Sequence, residues 1–212
     1  MFEVTKLIRF ADGVDEPERE TVLSGVASDV APHARSALIR PTLPGGITAG
    51  DVIARFRFDV ESDWRAAQND VERRLWTAAV EHVDSVTHTG TPRPAKSDAP
   101  PTVFRTLLVA VDPSTDPKVL RQFESETAAM ADYIPSIGAS QLGRVHEASG
   151  SARWTHVWEQ EYASLDGLTG PYMTHPYHWA HVDRWFDAER GQRIVTALCH
   201  SFCRIEEPIL VG

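Results

Sequence analysis

The chain has 212 residues, 42% of them hydrophobic and 24% charged, and a formal net charge of -9 at pH 7. This length allows one large domain or two modules of about 100 residues, either of which can bury a core. No apolar run approaches the roughly 20 residues that cross a bilayer, and no secretory signal pattern is present. We therefore expect a soluble cytoplasmic protein without a membrane partner. Because the sequence lacks a basic cluster, nucleic acid is also excluded as a partner.

The first half of the chain predicts alternating strands and helices. FEVTKLIRF alternates like a strand, and the apolar spacing of EPERETVLSGVASDV is helical. The segment PTLPGGITAG is rich in proline and glycine, which predicts a loop or hairpin. The rest predicts a strand, a long amphipathic helix capped by Ser62 or Asp63, and a closing strand: DVIARFRFDV, SDWRAAQNDVERRLWTAAVEHV and HVDSVTHTG.

The second half repeats this order. TVFRTLLVAV predicts a strand, and DPKVLRQFESETAAMADYIP predicts a helix with Asp116 as N-cap and Pro117 at the first helical position. Two strands, a helical region and a last strand follow in GASQLGRVHEA, SARWTHVWEQEYA, SLDGLTGPYMTHPYHWAHVDRWFDAE and RIVTALCHSFCRIE. Each half therefore fits the βαββαβ order of a ferredoxin-like module, an α+β arrangement whose open sheet face needs cover.

A proline-rich segment separates the two halves. TPRPAKSDAPPT has four prolines among small and polar residues. This composition is typical of a connection between domains rather than of a core element. We therefore predict an N-terminal module over 1–92, a linker over 93–102 and a C-terminal module over 103–212.

The second half resembles the stress-responsive A/B barrel (Dabb) family. The resemblance runs from about Phe104 to about Ile205 and rests on TLLVAV, IPSIGASQLGRV, WTHVWEQEY and the signature YMTHPYH. It implies a dimeric α+β barrel, formed here within one chain because the two modules can cover each other's sheets. The first half shares only the order of elements, since its second helix has nothing that matches YxxHPxH. Its site is therefore expected to be degenerate.

The signature segment contains the residues best suited to chemistry. Pro176 lacks an amide hydrogen and restricts the residue before it, so the helical region should break near His175, which would act as N-cap. The break would let the Tyr172 phenol and the His178 imidazole converge on a cavity, which suits acid and base catalysis near neutral pH. Alternatively, the two side chains only satisfy loose backbone groups at the break.

The family resemblance implies a catalytic role for this pair. Members similar to olivetolic acid cyclase use a tyrosine and a histidine at the first and last positions of YxxHPxH, which correspond to Tyr172 and His178. They also use a histidine in the opening strand, where FRTLLV offers Arg105 or Thr106 instead. Arg105 could anchor a carboxylate or stabilise an oxyanion, or it could be a solvated strand end. On the restarted helix, His181 should share a face with His178, and Trp179 should point to the core.

One strand could supply a flat pocket wall. His156 and Trp158 alternate onto one strand face, and together with Trp154 and Tyr172 they could bind an aromatic ligand. The tryptophans could equally be core residues. A metal held by His175, His178 and His156 lacks a neighbouring Asp or Glu at ligand spacing, so we predict no metal. No motif for a nucleotide or redox cofactor is present, so we predict no cofactor.

These inferences predict a cofactor-free lyase, cyclase or isomerase that acts on an apolar, aromatic or polyketide-like small molecule, with His178 as the base. A ligand-binding barrel without activity and a cofactor-independent monooxygenase are the alternatives. We expect one functional cavity per chain, in the second module, with the first module serving as its cover. The sequence leaves a homo-oligomer open.

Overall fold

The computed structural model describes residues 1–94, 99–189 and 191–210. It confirms the α+β fold, with the order βαββαβ in each half. The first module consists of β1 (Phe2–Phe10), α1 (Glu16–Val30), β2 (Ser36–Pro41), β3 (Val52–Phe58), α2 (Glu61–Leu75) and β4 (Val80–Thr89). The second consists of β5 (Val103–Val111), α3 (Pro117–Tyr133), β6 (Ile137–Ser149), β7 (His156–Tyr162), a broken helix (Leu165–Gly167, Leu168–Tyr172, His178–Val182 and Asp183–Phe186) and β8 (Val195–Arg204).

The start of α3 is as predicted. Asp116 Oδ1 accepts the Lys118 amide N–H at 2.7 Å, and Pro117 lies in the first turn. A carboxylate at this position satisfies an amide that has no partner within the helix, which stabilises the start by about 1 kcal/mol. The local sequence is therefore sufficient to begin this helix.

Two expectations for the first module are wrong. Helix α2 begins at Glu61 without a side-chain cap, so neither Ser62 nor Asp63 is its N-cap, and the helix ends at Leu75. Residues from Val80 onward pair with β1 instead of extending the helix. The βαββαβ order implies a strand before β3, but no residues were assigned to it. Strand β2 lies at the sheet edge and no residue of it is fully buried, which weakens the alternation of apolar and polar positions.

The eight strands form one antiparallel sheet of order β2-β3-β1-β4-β6-β7-β5-β8. Hydrogen bonds between β4 and β6 join the modules, and β2 and β8 are the two end strands. Residues 42–51 run along β8, where Leu43 N donates to Phe202 O at 2.8 Å and Ile47 N donates to His200 O at 2.9 Å. This loop thereby covers the exposed edge of β8 and closes the barrel.

Side chains alternate between two faces of the curled sheet. In each module one face packs against that module's helices. The opposite faces of the two modules meet in the barrel interior, where Leu7 and Ile53 of the first module lie in one cluster with Phe104, Leu108 and Val157 of the second. The candidate site belongs to the helix-facing side of the second module.

Part of the predicted linker can be placed. Residues 95–98 of the expected 93–102 segment lie outside the described residues. Arg93, at its start, forms a β-bridge with Ser140 of β6, so the chain leaves the first module along the second module's sheet. No helix in the described part of the chain is long and apolar enough to span a lipid bilayer.

Candidate functional site

The helical segment breaks where the sequence predicts. His175 is not helical, and its Nδ1 accepts the amide N–H of Tyr177 at 3.2 Å, as an N-cap does. Wide π-helical turns lie on both sides of the break, over Leu168–Tyr172 and His178–Val182. Such turns often occur at functional sites. Here they place Tyr172 and His178 on the sheet side of the segment.

Tyr172 and His178 are in contact. Their ring centroids are 4.8 Å apart in an edge-to-face arrangement. Tyr172 is only 1% exposed, and among the described residues its hydroxyl has no hydrogen-bond partner in good geometry. Burial raises the pKa of the Tyr172 phenol, an effect that the nearby Arg105 guanidinium partly opposes. The phenol therefore stays protonated and can donate a hydrogen bond.

Asp183 lies behind the imidazole. One carboxylate oxygen of Asp183 is 3.3 Å from Nδ1 of His178, whose side chain is 12% exposed. The two atoms do not meet hydrogen-bond geometry, but a carboxylate this close favours the tautomer with the proton on Nδ1, so that Nε2 carries the lone pair. This arrangement suits His178 to act as a base. Asp183 was not predicted as part of it. The sequence contains one signal for Asp183, since this carboxylate follows His178, the last histidine of YMTHPYH, by five residues.

Arg105 is the cation beside this pair. Its guanidinium carbon lies 5.2 Å from the centroid of the Tyr172 ring and 4.7 Å from that of Trp158. Arg105 Nη1 donates to Gln160 Oε1 at 2.5 Å, and Nε donates to His200 Nε2 at 2.8 Å. Because a guanidinium only donates, His200 must present a lone pair at Nε2 and be neutral. Burial and the adjacent Arg105 lower the pKa of His200 to about 3, in agreement with this.

The pocket expected along β7 is only partly present. His156 and Trp158 line a cavity of about 560 Å³ between α3, β6 and β7. There His156 Nε2 lies 3.1 Å from Glu124 Oε1, and Glu124 also binds Arg144. Neither Tyr172 nor His178 lines this cavity. The expected wall and the expected catalytic pair therefore face different spaces.

Three other predicted residues lie apart from the pair. Trp154 belongs to the barrel interior, where its indole N–H donates to Asp84 Oδ1 at 3.0 Å, so it does not join the His156 side of the sheet. His181 is exposed and stacks on Tyr177 at 4.6 Å, away from His178. The expectation that Trp179 points to the core is wrong, since it is 52% exposed. The π-helical turn explains the position of His181, because residues three apart no longer share a face. Trp179 lies on the outer side of the segment, where its indole N–H donates to Met173 O at 3.1 Å.

Sequence reasoning also missed a buried ionic cluster in the barrel interior. Arg55 donates to Glu3 at 2.6 Å and to Glu159 at 2.9 Å, and Gln141 bridges the same two carboxylates. Burial alone would raise the pKa of Glu159, but Arg55 outweighs it and holds the pKa below its usual range. Glu3, His88 and Glu159 offer ligand atoms within 4.8 Å of one another, yet Arg55 already neutralises the carboxylates that a metal would need.

Cavities are not confined to the second module, where we expect the one functional cavity to lie. The first module has a cavity of about 750 Å³, which is larger than the 560 Å³ space beside His156. It is lined in part by Lys6, Leu75 and Trp76. Lys6 lies 5.3 Å from the ring centroid of Trp64, so this space is next to the helix that was expected only to cover the other module.

Comparison with known proteins identifies the fold and the second module. Residues 103–196 match the sequence model of the Stress responsive A/B Barrel Domain family. No protein of curated function matches the sequence.

Solved structures resemble the whole chain. An anthrone oxidase-like protein shares 10% identity at a TM-score of 0.66, over 100% of this chain and 94% of that protein. Proteins assigned as monooxygenases from Fusobacterium nucleatum (8% identity, TM-score 0.59, coverage 97% and 92%) and Lactobacillus acidophilus (12%, 0.52, 95% and 91%) are also similar. At such identities the likeness shows the fold alone. The family match is thus confined to the second module, where residues 103–196 form a Stress responsive A/B Barrel Domain.

Proposed function

We propose that the second module catalyses proton transfer on an apolar, aromatic carbonyl compound, as a lyase, cyclase or isomerase. His178 Nε2 takes a proton from a carbon that is conjugated with the carbonyl group, either next to it or across an aromatic ring. The electron pair of that C–H bond forms an enolate, and the charge develops on the carbonyl oxygen. The Tyr172 hydroxyl donates a hydrogen bond to this oxygen, and the positive charge of Arg105 stabilises it further.

The contact between Tyr172 and His178, with Asp183 on one side and Arg105 on the other, is the observation that carries this proposal. A base, its orienting carboxylate, a protonated donor and a cation lie together in a buried place, where electrostatic effects are stronger than in water. Since Tyr172 is 1% exposed, a substrate enters only when the segment around the break at His175 moves outward.

Close packing around Tyr172 favours a second candidate, a barrel that binds a ligand without catalysis. Tyr172 packs edge-to-face on Tyr162 at 5.8 Å and on His178 at 4.8 Å.

Two of the similar structures carry monooxygenase in their names, and another is anthrone oxidase-like. A cofactor-independent oxidation after enolate formation therefore has to be tested beside simple proton transfer.

Anthrone is a suitable probe, because it is a flat three-ring ketone with an acidic methylene group. In D₂O under nitrogen, the protein should accelerate deuterium exchange at that methylene, measured by proton NMR. His178→Ala should slow exchange roughly 10²- to 10⁴-fold, and Tyr172→Phe by about 10²-fold. His181→Ala is the matched control, since it removes an exposed imidazole from the same segment.

Three outcomes separate the candidates. Full exchange activity in a folded His178→Ala variant would refute the base assignment. Binding of anthrone without exchange would favour the ligand-binding barrel. Stoichiometric oxygen uptake with anthrone in air, measured with an electrode, would identify the oxidation.

A further inference from the structure

The cavity of about 750 Å³ in the first module has an amine at its buried end. Lys6 and Ser85, on neighbouring strands, line one side of it, and Leu75 and Trp76, at the end of α2, line the other. Lys6 is 3% exposed, whereas Trp76 is 92% exposed, so the space runs from the surface down to the lysine. Its volume is within the range of small-molecule sites.

The Lys6 side chain is held in place without a direct counter-charge. Its Nζ donates to Ser85 Oγ at 2.7 Å and lies 5.3 Å from the centroid of the Trp64 ring. No described carboxylate forms an ion pair with it, although Glu72 lines the same cavity and acts on it electrostatically. Burial lowers the pKa of Lys6 to about 8, with Glu72 partly opposing. At pH 8 about half of this lysine is therefore the neutral, nucleophilic amine, against less than about 1% of an ordinary lysine.

The fold does not need a lysine at this position. Strand alternation turns Val4, Lys6 and Ile8 toward the helices, where Val4 and Ile8 are fully buried in the core. Leu107 is the equivalent residue of the second module, since Lys6 and Leu107 each lie four residues before a register shift in their strand. Leu107 is a core residue there. An amine is costly to bury where leucine is sufficient, which indicates a chemical role for Lys6.

We propose that Lys6 binds an apolar aldehyde covalently, as an imine, in this cavity. The lone pair of the amine attacks the carbonyl carbon, a C–N bond forms, the C–O bond breaks, and the oxygen leaves as water. The lysine ammonium and the aldehyde together thus give a protonated imine and one water molecule. Glu72 can carry protons between the nitrogen and the oxygen, and the apolar part of the aldehyde lies against Leu75 and Trp76. The first module then has a function besides covering the second.

Reductive trapping of cinnamaldehyde with sodium cyanoborohydride on the full chain tests the proposal. The reductant converts the imine to a stable secondary amine, and peptide mass mapping identifies the amine that carries it. The chain has three lysines, Lys6, Lys96 and Lys118, and mapping also separates them from the terminal amine of Met1. Near neutral pH, Lys6 should be trapped at least roughly tenfold faster than the exposed Lys118, because more of it is neutral. Its rate should saturate with aldehyde concentration, whereas the rate at Lys118 should rise linearly.

Two variants sharpen the test. Trp76→Ala should raise the half-saturating concentration of cinnamaldehyde at Lys6 roughly fivefold, because it removes an apolar wall. Trp179→Ala is the control, since it removes an exposed indole from the second module and should leave this concentration unchanged.

Three results would overturn the proposal. These are no trapping at Lys6 in the folded protein, equal rates at Lys6 and Lys118, or a rate at Lys6 that does not saturate. Equal effects of Trp76→Ala and Trp179→Ala would contradict binding in this cavity. None of these results depends on whether the protein exchanges protons on anthrone, so the two proposals fail independently.

Discussion

The two modules share one fold but differ at the same point of the sheet. In the first module Val4 pairs with Phe56 across β1 and β3, and both side chains are buried against the helices. In the second, Arg105 pairs with Gln160 across β5 and β7. Val4 and Arg105 are equivalent, because each lies six residues before a register shift in its strand. The first module shows that an apolar pair is sufficient to build this fold.

Aromatic packing shows the same contrast. Phe58 packs on Trp64 of the continuous helix α2 with centroids 5.7 Å apart. At the corresponding place Tyr162 packs on Tyr172 of the broken helix at 5.8 Å. The rings are needed for packing in both modules, whereas the hydroxyls, the guanidinium and the break occur only in the second. These additions are costly to bury and unnecessary for folding, which is why we attribute them to function.

Both modules contribute residues to the barrel interior. Removing a charged residue from its ionic cluster should therefore have the largest effect on stability. Removal of one partner from a buried ionic cluster leaves an uncompensated charge. Glu159→Ala should therefore reduce the free energy of unfolding by about 3–5 kcal/mol, measured by urea denaturation. If the modules form one cooperative unit, the transition should remain a single step for probes in either half.

An exposed pair supplies the control for this experiment. Glu61→Gln removes the partner of Arg65 on α2, where both side chains are partly exposed to water. Such surface pairs contribute about 0–1 kcal/mol. A loss in Glu159→Ala no larger than in Glu61→Gln would show that the interior cluster does not join the modules.

Lys6 distinguishes the first module by the pH dependence of its stability. Burial lowers the pKa of Lys6 to about 8, with Glu72 partly opposing, whereas an unfolded lysine titrates near 10.5. Between these values the unfolded chain binds more protons than the folded one, so stability rises with pH through this window. The rise should approach 3 kcal/mol, to order of magnitude. Lys6→Met should lack it.

Denaturation at several pH values between 7 and 11 checks this prediction. Burial raises the pKa values of Tyr172 and Cys203, which lowers stability at high pH and would obscure the rise. The difference between the wild type and Lys6→Met cancels these contributions. A difference that stays constant across the window would mean that Lys6 is charged in the folded protein up to its ordinary pKa.

Replacing Arg105 by an apolar residue makes the second module resemble the first, and it tests the role of the Arg105–Gln160 pair. Arg105→Leu should cost about 1–3 kcal/mol of unfolding free energy, because His200 Nε2 loses its donor while buried. Since Arg105 also depresses the pKa of His200, that pKa should rise above about 3. It should remain below 6.5, because burial is the larger cause. NMR titration of the imidazole measures it, and an unchanged pKa would show that Arg105 is not near His200 in solution.

Local signals predicted much of the fold and part of the site. The cap Asp116–Pro117 and the break at Pro176 depend on residues within a few positions, so they are readable from sequence. The interior cluster is not, because Glu3, Arg55 and Glu159 look like ordinary outward-facing charges on alternating strands. Only closure of the barrel turns that face inward. Trp154 was misplaced for the same reason, since alternation defines two faces but not which one meets the helices.

The loop that closes the barrel gives the smallest expected effect, and it has no counterpart between β6 and β7. Thr48 has a positive φ of 48°, and its hydroxyl donates to Leu198 O at 2.9 Å. Thr48→Ala loses this bond and keeps the strain, so it should cost about 1 kcal/mol. Thr48→Gly also loses the bond, but it relieves about 1–2 kcal/mol of left-handed strain. Glycine also raises the entropy of the unfolded chain, which destabilises the folded protein by about 0.5–1 kcal/mol.

The net effect of Thr48→Gly should therefore be close to zero. Urea denaturation of the wild type and both variants measures the separation, which we expect to be about 1 kcal/mol in favour of glycine over alanine. Equal losses would mean that the loop changes conformation when the hydroxyl is removed. In that case the bond from Thr48 to β8, rather than the backbone between Leu43 and Ile47, would hold the seam closed.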